Sequence, residues 1–488
     1  MDNKYINKLD YNNIKHNYKR KLLLKYKIYK HNKSFLNEKV NKDYIINNIK
    51  LDIHQKEAIY TNEDSLLILA GAGSGKTMTI QGKIKYIVEE LGIKEREILC
   101  ISFTNKTVLE LKNKINFNID IFTFHKLALE IIGDYNKNYT LESSDYLNYV
   151  INEIFLSICN NISDKTLNSL NNEISSFINL FKNNNYDLKF LDKLISKNKS
   201  KILKVIKNIY LLYQEELNST LSIDLNDVIN LAISLIKKYG FKRYYKYIII
   251  DEYQDISLNR FNLIKEIKKS CNSYIFAVGD DFQSIYKFTG SKINYIISFK
   301  KYFKNSKILR LRNTYRNSNE LIKLATNFIM KNKNQLRKKL CSNKSLLKPV
   351  KIIYYTKNMD IKVNKVLETL NDNYLILGRN TFDINLLDKS NEYKYMTMHK
   401  SKGLEVDNVL IINLTSNYNG FPSKERKSVT NLILKKDKYQ FEEERRLFYV
   451  ALTRTRNYVY LFVDKDNPSI FIKELLYRGK KYIEILNI

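Results

Sequence analysis

Several residue types are scarce in this chain of 488 residues, which has no tryptophan, three prolines, thirteen glycines and five histidines. Its four cysteines (Cys100, Cys159, Cys271 and Cys341) lie far apart and form no C-x-x-C pair. This spacing argues against a zinc ribbon, an iron–sulfur cluster and a secreted disulfide framework. The histidines are equally scattered, so the sequence offers no cluster of metal ligands. The three prolines mark no linker.

Long apolar runs are also missing. No stretch approaches the roughly 18 apolar residues of a membrane span, and the polar amino terminus "MDNKYINKLDYNN" does not read as a signal peptide. The sequence therefore predicts a cytoplasmic protein with no membrane partner.

Basic residues, by contrast, are abundant: 83 Lys and Arg against 51 Asp and Glu give a formal net charge of +32. Such a surplus favours a polyanionic partner, most simply nucleic acid. A second interpretation stays open, because AT-rich genomes produce chains dense in Lys, Asn, Ile and Tyr without selection for binding. Residues 1–50 are the most basic block and contain the helical pattern "KRKLLLKYKIY". This block is either an accessory DNA-contacting arm or a solvated face.

The few glycines cluster at one place. Gly71, Gly73 and Gly75 follow an apolar strand at residues 66–70 and precede a helix with an apolar face. Small residues at such a junction let backbone N–H groups wrap phosphates at the positive end of a helix. The stretch "AGAGSGKT" departs from the strict G-x-x-x-x-G-K-[ST] pattern only at its first position, Ala70. It predicts a P-loop formed by Ala70, Gly71, Ala72, Gly73, Ser74, Gly75, Lys76 and Thr77.

Within this loop, Lys76 is expected to reach the β- and γ-phosphates of a nucleotide, and the Thr77 hydroxyl to bind Mg²⁺. A second strand, Tyr247–Ile250 in "YKYIIIDEYQD", ends in Asp251 and Glu252. Acids after a strand are often only helix caps. Beside a P-loop, Asp251 suits a Mg²⁺ ligand and Glu252 a base that polarises the attacking water.

Nine motifs in order extend the pattern over residues 51 to about 460. They are "LDIHQKEAI", "AGAGSGKT", "ISFTNKTVLEL", "IFTFHKLAL", "DEYQD", "GDDFQSIYKFTGS", "LRNTYRNS", "MTMHKSKGLEVDNVLI" and "EEERRLFYVALTRTR". In these motifs the chain resembles the superfamily 1 DNA helicases of the UvrD/Rep type, and within them the helicase IV branch. The resemblance implies ATP and Mg²⁺ as cofactors and DNA as the partner.

The resemblance also implies further members of the nucleotide site. Gln55 would read the adenine edge, Tyr315 would stack on the base, and Glu405 would touch the ribose. Gln283 would sense the γ-phosphate, which Arg316 and Arg454 would approach from a second lobe. Arginines of this kind contribute about 10³–10⁵ in the rate of phosphoryl transfer.

The segment "VGDDFQSIYKFTG" is predicted to contact both ligands. Gln283 would face ATP, while Tyr286 and Phe288 would lie toward DNA. Aromatic stacking tolerates any base, as movement along a strand requires. Many relatives carry tryptophan where Phe288 stands. The other single-strand contacts implied by the resemblance are Phe103, Thr123, His125 and His399.

The predicted fold is α/β, with two RecA-like P-loop lobes, a helical insertion in the first lobe, and a second large insertion reduced or absent. The predicted division is a basic arm at 1–50, the first lobe at 51–133 and 236–306, the helical insertion at 134–235, and the second lobe at 307–488. The strand-like runs after residue 306, beginning with "SKILRLR", are assigned to the second lobe. The short distance from Arg454 to the end of the chain predicts no nuclease domain.

The predicted activity is ATP-driven movement along single-stranded DNA, including single-strand/duplex junctions, in the 3′ to 5′ direction. An alternative is a DNA-stimulated regulatory ATPase that remodels a protein partner, for example in anti-phage defence. An RNA motor has no support beyond the shared lobes. The pathway and any protein partner are not encoded in recognisable motifs.

Overall fold

The computed structural model describes residues 4–7, 10–11, 21–137, 139–143, 145–158, 162–424, 428–434 and 437–488. Cys159 and residues 1–3, 8–9 and 12–20 of the predicted basic arm lie outside the described residues. Within the described ranges, no helix combines the length and the apolar character needed to cross a membrane.

Two six-stranded parallel sheets dominate the fold. The strands up to residue 310 are β1 (Ile45–Ile46), β2 (Ile49–Lys50), β3 (Ser65–Leu69), β4 (Ile98–Ser102), β5 (Asp120–Thr123), β6 (Thr140–Leu141), β7 (Ser222–Ile223), β8 (Tyr247–Ile250), β9 (Tyr274–Gly279) and β10 (Ser306–Arg310). The later strands are β11 (Val350–Tyr355), β12 (Tyr374–Gly378), β13 (Tyr395–Thr397), β14 (Val406–Leu414), β15 (Thr455–Asp464) and β16 (Ile483–Leu486). The strand orders are β10-β3-β9-β8-β4-β5 and β13-β12-β14-β15-β11-β16. The predicted α/β fold with two lobes is confirmed.

Helices connect these strands, as parallel pairing requires. Up to residue 219 they are α1 (Lys21–Asn41), α2 (Ile53–Tyr60), α3 (Lys76–Lys85), α4 (Asn105–Lys114), α5 (Phe124–Asp134), α6 (Tyr146–Ile158), α7 (Asp164–Asn183), α8 (Leu188–Asn198) and α9 (Lys201–Ser219). The following helices are α10 (Leu225–Tyr239), α11 (Leu258–Cys271), α12 (Asn294–Ile297), α13 (Phe299–Tyr302), α14 (Asn319–Ile329), α15 (Met359–Leu367), α16 (Glu442–Leu452) and α17 (Ile470–Gly479).

The first sheet is buried on both faces, which explains why its strands are continuous apolar runs. Successive residues of β3 alternate between two cores. Leu67 and Leu69 pack in one core, and Leu66 and Ile68 pack in the other. The sheet thereby fixes the carboxyl ends of its strands, where the glycine loop and the acidic pair begin.

The helical insertion has a core of its own, formed by α6 to α9. The last part of the predicted insertion, which ends at residue 235, behaves differently. Within α10, Val228, Ile229 and Ala232 pack in the core of the first sheet. The contacts therefore place α10 in the first lobe, whereas the predicted boundary lies at residue 235.

The assignment of "SKILRLR" to the second lobe is wrong. Its strand, β10, pairs in parallel with β3, so that Ile308 lies opposite Leu67 at the edge of the first sheet. In the second lobe, β12 and β13 are joined directly by residues 379–394, which contain one 3₁₀ helix at Thr381–Leu386. This short connection agrees with the prediction that the second large insertion is reduced or absent.

Residues 428–434 connect the second lobe with the helical insertion. The Val429 N–H donates to Glu173 Oε1 on α7 over 2.8 Å. Ile433 is buried in the core of the insertion. Part of the second lobe is thus packed into the helical unit.

Helix α1 confirms the helical pattern predicted near the amino terminus. Phe35 of α1 packs with Tyr60 and Tyr86 of the first lobe. Before the helix, the Tyr5 hydroxyl donates to Glu63 over 2.9 Å. The described part of the amino-terminal block is therefore attached to the first lobe, and its contact with DNA stays a prediction.

Candidate active site

The loop between β3 and α3 has the backbone of a phosphate-binding loop. Gly73 and Gly75 have φ values of 68° and 76°. A Cβ atom at Gly75 would clash with the side chain of Gln55, and one at Gly73 with that of Arg316, so both positions require glycine. Ala70 does not have a positive φ, and its N–H donates to the Gly279 carbonyl at the end of β9 over 2.9 Å. The departure from the strict pattern therefore falls where alanine is tolerated.

The acidic pair that follows β8 faces this loop. Lys76 Nζ lies 2.5 Å from Glu252 Oε1. Asp251 Oδ1 accepts a hydrogen bond from the Glu252 N–H over 2.8 Å. Glu252 itself has a φ of 49°, a left-handed conformation that costs a non-glycine residue about 1–2 kcal/mol. Backbone strain of this kind is concentrated at functional sites.

The charges of the pair differ in their surroundings. Burial, with a contribution from Glu252, raises the pKa of Asp251 to about 6. Burial acts in the same direction on Glu252, but the cations Lys76 and Lys402 outweigh it and lower the pKa of Glu252 to about 2. At neutral pH Glu252 is therefore a carboxylate and can accept a proton.

The residues present fit a magnesium ion that is bound together with a nucleotide. Asp251 uses Oδ1 for the Glu252 N–H, which leaves Oδ2 available, and the Thr77 hydroxyl lines the same cavity. Among the described residues, no group of three or more His, Cys, Asp or Glu could hold a metal ion by itself. Mg²⁺ suits such a sparse oxygen site, because it keeps water and phosphate ligands.

One cavity of about 520 Å³ between the two lobes gathers most of the predicted nucleotide-site residues. Those that line it are Gln55, Ala72, Gly73, Ser74, Gly75, Lys76, Thr77, Asp251, Glu252, Gln283, Tyr315, Arg316, Glu405 and Arg454. Ala70 and Gly71 are buried at the start of the loop. The volume and the charged side chains in the lining suit a small charged ligand.

Arg454 joins the cavity from the second lobe and is buried. Its Nη2 donates to Gln283 Oε1 over 3.2 Å, and its Nε donates to the Val450 carbonyl over 2.9 Å. Gln283 Nε2 in turn donates to Asp280 Oδ2 over 2.6 Å. Burial, together with the charge of Arg316, lowers the pKa of Arg454 to about 9. The guanidinium therefore remains charged at neutral pH.

The outer part of the cavity holds the predicted base and ribose contacts. The side chain of Tyr315 donates to Asp52 Oδ2 over 2.6 Å, and Asp52 caps the helix that carries Gln55. Tyr315 is 60% exposed, so its ring is accessible to a ligand. Arg316 Nε donates to Glu405 Oε2 over 2.7 Å, so a ribose would have to compete for that carboxylate.

Two lysines of this site were not singled out from the sequence. Lys402 Nζ forms an ion pair with Asp255 and donates to the Gln283 carbonyl over 2.8 Å. Lys338 is buried and pairs with Asp280 and Asp281 of the "GDDFQ" segment. Lys402 lies within the quoted motif "MTMHKSKGLE", which was the available signal. Lys338 lies outside every quoted motif.

Three of the predicted DNA contacts form one aromatic group beside the cavity. The ring centroids of Tyr286 and Phe288 lie 6.0 Å apart, and those of Phe288 and His399 lie 5.6 Å apart. Phe288 is 53% exposed. Lys402 Nζ lies 4.9 Å from the Tyr286 ring centroid, and the same lysine contacts Gln283. Lys402 thus contacts both Gln283 and the aromatic group.

The other predicted DNA contacts lie at the carboxyl ends of β4 and β5. Phe103 is partly buried and meets Phe124 edge to face at 5.7 Å. Thr123 Oγ1 accepts from the Lys126 N–H over 3.3 Å and so caps α5, whose first turn contains His125. Burial, with the charge of Arg260, lowers the pKa of His125 to about 4. The position at the ends of parallel strands is where α/β sheets bind ligands.

Comparison with known proteins agrees with this geometry. The family model "UvrD/REP helicase N-terminal domain" matches residues 51–304, just over half of the chain. A second model, "viral superfamily 1 RNA helicase core domain", matches residues 198–463.

Individual relatives are similar over most of this chain. DNA helicase IV of Escherichia coli (strain K12) is 28% identical over 473 residues, covering 86% of this chain and 69% of that protein. The ATP-dependent DNA helicase Rep of Buchnera aphidicola subsp. Schizaphis graminum is 30% identical, covering 70% of this chain and 55% of that protein. The ATP-dependent DNA helicase PcrA of Bacillus subtilis (strain 168) is 28% identical, covering 64% and 44%. The chain thus spans about half of Rep and PcrA and rather more of helicase IV. Because the UvrD/REP helicase model matches more than half of this chain, the chain belongs to the UvrD/REP helicase family.

Proposed function

We propose that this protein is an ATP-driven motor that moves along single-stranded DNA from 3′ to 5′ and separates duplex at junctions. One observation carries the proposal above all. Arg454 of the second lobe contacts Gln283 in the cavity that also contains Lys76 and Glu252 of the first lobe. A hydrolytic site built from two lobes makes the reaction depend on how they are arranged, as a motor requires.

The Lys76–Glu252 pair supplies the first step of the mechanism. Both groups are charged and 2.5 Å apart. The phosphates of ATP would compete with Glu252 for the Lys76 ammonium, because they bring several negative charges to the loop. Released from that contact, Glu252 would orient and deprotonate the attacking water. Nucleotide binding would thereby prepare the base.

The remaining charges would act on the transferred phosphoryl group. Mg²⁺, held by Thr77 and Asp251, would supply charge neutralisation at the β- and γ-phosphates. Arg454 is already fixed by hydrogen bonds to Gln283 and Val450, so its guanidinium would need little reorganisation.

The segment that contains Gln283 offers a route from the nucleotide to the strand. Tyr286 and Phe288 follow Gln283 by three and five residues, and Lys402 contacts both Gln283 and Tyr286. A change at the γ-phosphate would therefore reach the exposed ring of Phe288 through few contacts. Bases stacked on that ring would be gripped and released as the lobes close and open.

Two observations favour DNA as the nucleic acid along which the protein moves. The relatives are named DNA helicases, and the net charge is +32. The direction is carried over from the family resemblance in the motifs. A regulatory ATPase is the second candidate, favoured by the short connection between β12 and β13 in place of a large insertion. A motor without that domain is expected to translocate well but to unwind weakly by itself.

Hydrolysis assays with no nucleic acid, single-stranded DNA, RNA and duplex DNA distinguish these candidates. We expect the strongest stimulation by single-stranded DNA, and displacement of a labelled strand only from a 3′ overhang. Lys76→Ala should abolish hydrolysis and leave DNA binding intact, and Lys85→Ala, at the half-exposed carboxyl end of the same helix, should retain both. Strand displacement from a 5′ overhang would contradict the direction. DNA-stimulated hydrolysis without movement would favour the regulatory ATPase.

A further inference from the structure

Arg260 lies outside the nine motifs quoted above, five residues after "DEYQD". It lies in the first turn of α11, which follows β8, and β8 is the neighbour of β4 in the first sheet. Its guanidinium carbon lies 4.5 Å from the ring centroid of Phe103 and 5.7 Å from that of Phe124. Arg260 therefore lies above the carboxyl ends of β4 and β5, beside the predicted DNA contacts Thr123 and His125.

The guanidinium of Arg260 has no hydrogen-bond partner among the described residues, and its Nε is buried. No carboxylate in the described part of the chain lies within 4.0 Å of this guanidinium. Asp255, whose charge acts to raise the pKa of Arg260, pairs with Lys402 instead. Fully buried arginines differ. Arg446 donates to the Ser284 carbonyl. An unpaired, buried donor is costly, which points to a partner supplied from outside the chain.

The chemistry of this partner follows from the geometry. Arginine contacts aromatic rings through the face of its planar guanidinium, and this contact leaves the N–H groups at the edge of that plane able to donate. The planar fork matches two oxygens of a phosphate group. Arg260 is only partly buried, and of its three nitrogens only Nε is among the buried atoms without partners. The neighbouring His125 is neutral at pH 7 and leaves Arg260 as the cation of this group.

We propose that Arg260 binds a phosphodiester of the single strand, and that Phe103 serves as the platform that holds its guanidinium. The inference rests on the proposed function, because it takes single-stranded DNA as the ligand. It changes the expected role of Phe103, since one face of that ring is covered by Arg260 and is closed to a base. It also adds a charged contact to a group that otherwise consists of Phe103, Thr123 and a neutral histidine.

The test is a scan of a short single-stranded DNA with one neutral methylphosphonate at each position in turn, bound to the wild-type protein and to Arg260→Gln. In the wild type, one phosphate should weaken binding when it is neutralised. In Arg260→Gln that penalty should shrink by more than about twofold, which is the smallest coupling expected between groups in contact. The salt dependence of the variant should be less steep by about 0.7, the contribution of one phosphate contact on a single strand.

Arg96→Gln is the matched control, because Arg96 is exposed at the opposite, amino-terminal edge of the same sheet. It should leave both the scan and the salt slope unchanged. The same scan on an RNA oligonucleotide of equal sequence shows whether the contact is specific to DNA. If Arg260→Gln does not fold, Arg260→Lys replaces it, and the coupling should again fall because lysine lacks the bidentate fork.

The outcomes distinguish a failure of the proposed function from a failure of this inference. A wild-type protein that does not bind single-stranded DNA would remove the proposed function. A wild-type protein that binds, together with an Arg260 variant whose scan and salt slope match the wild type, would overturn this inference alone. A lower melting temperature with an unchanged scan would show that Arg260 serves only to pack against Phe103, and would likewise overturn it.

Discussion

Arg454 and Gln283 are joined by a hydrogen bond of 3.2 Å, although they are far apart in sequence. Gln283 is held in turn by Asp280, which pairs with the buried Lys338. The arginine expected to act on the transition state is therefore linked to the segment that leads to Phe288. The structure thus describes an arrangement in which both lobes already contribute to one cavity.

Arg454→Ala is predicted to preserve nucleotide binding and to lower kcat by about 10³ or more, because the lost charge acts mainly on the transition state. DNA-stimulated hydrolysis and equilibrium binding of a fluorescent nucleotide measure the two effects separately. Arg478→Ala, at the exposed end of α17, should match the wild type in both assays. A change confined to KM would show that Arg454 is only a binding residue.

Lys338→Met is predicted to destabilise the protein by about 3–5 kcal/mol, since it leaves Asp280 and Asp281 without a cation in a buried site. Lys338 Nζ also lies 3.7 Å from the Phe282 ring centroid, and an uncharged methionine does not restore this cation–π contact. Urea unfolding measures the loss. Lys339→Met, one residue further on, is exposed and should unfold at the wild-type midpoint. Equal midpoints for the two variants would disprove a stabilising role for Lys338.

Phe288→Ala is predicted to uncouple the motor, with ATP still hydrolysed on DNA and translocation slowed. The ring is 53% exposed, and base stacking on such a ring is worth about 1–3 kcal/mol. Arrival times at the end of labelled strands of increasing length measure the rate of movement. Phe382→Ala removes another exposed ring, in the 3₁₀ helix after β12, and should move normally. Unchanged translocation by Phe288→Ala would exclude stacking at this ring as the grip.

Local patterns predicted those parts of the protein that depend on neighbouring residues. The P-loop and the acidic pair were recognisable because strand, loop and helix follow one another within a few residues, and their side chains do meet at one cavity. The assignment of β10 failed for a physical reason. An apolar run indicates a buried strand, but it does not indicate which sheet provides the partner.

Contacts between distant segments were beyond such patterns. Lys338 and Arg260 are ordinary basic residues in the sequence, in a chain with 83 of them. Their importance appears only when folding buries Lys338 against two carboxylates and leaves the Arg260 Nε without a partner among the described residues. The packing of α10 against the first sheet was equally hidden from the sequence. Its helical pattern is compatible both with the helical insertion and with the first lobe.

His399 makes the stability of the protein depend on pH. Burial, with the charges of Arg379 and Lys402, lowers the pKa of His399 from 6.5 to about 3, and the ring of Phe288 packs beside it. The folded state therefore favours the neutral imidazole, whereas the unfolded chain takes up a proton below about pH 6.5. The stability that His399 contributes is complete above that pH and declines as the pH falls toward 3, by at most about 1.4 kcal/mol per pH unit.

His399→Gln should remove this decline, because glutamine has no proton to gain. We expect the unfolding free energy of the wild type to fall relative to that of the variant between about pH 6.5 and the lowest pH at which both remain folded. Urea unfolding at a series of pH values, with salt held constant, gives the difference directly. His125 contributes in the same direction and is present in both proteins, so it cancels in the comparison. Parallel curves over this range would show that His399 is as readily protonated in the folded protein as in the unfolded chain.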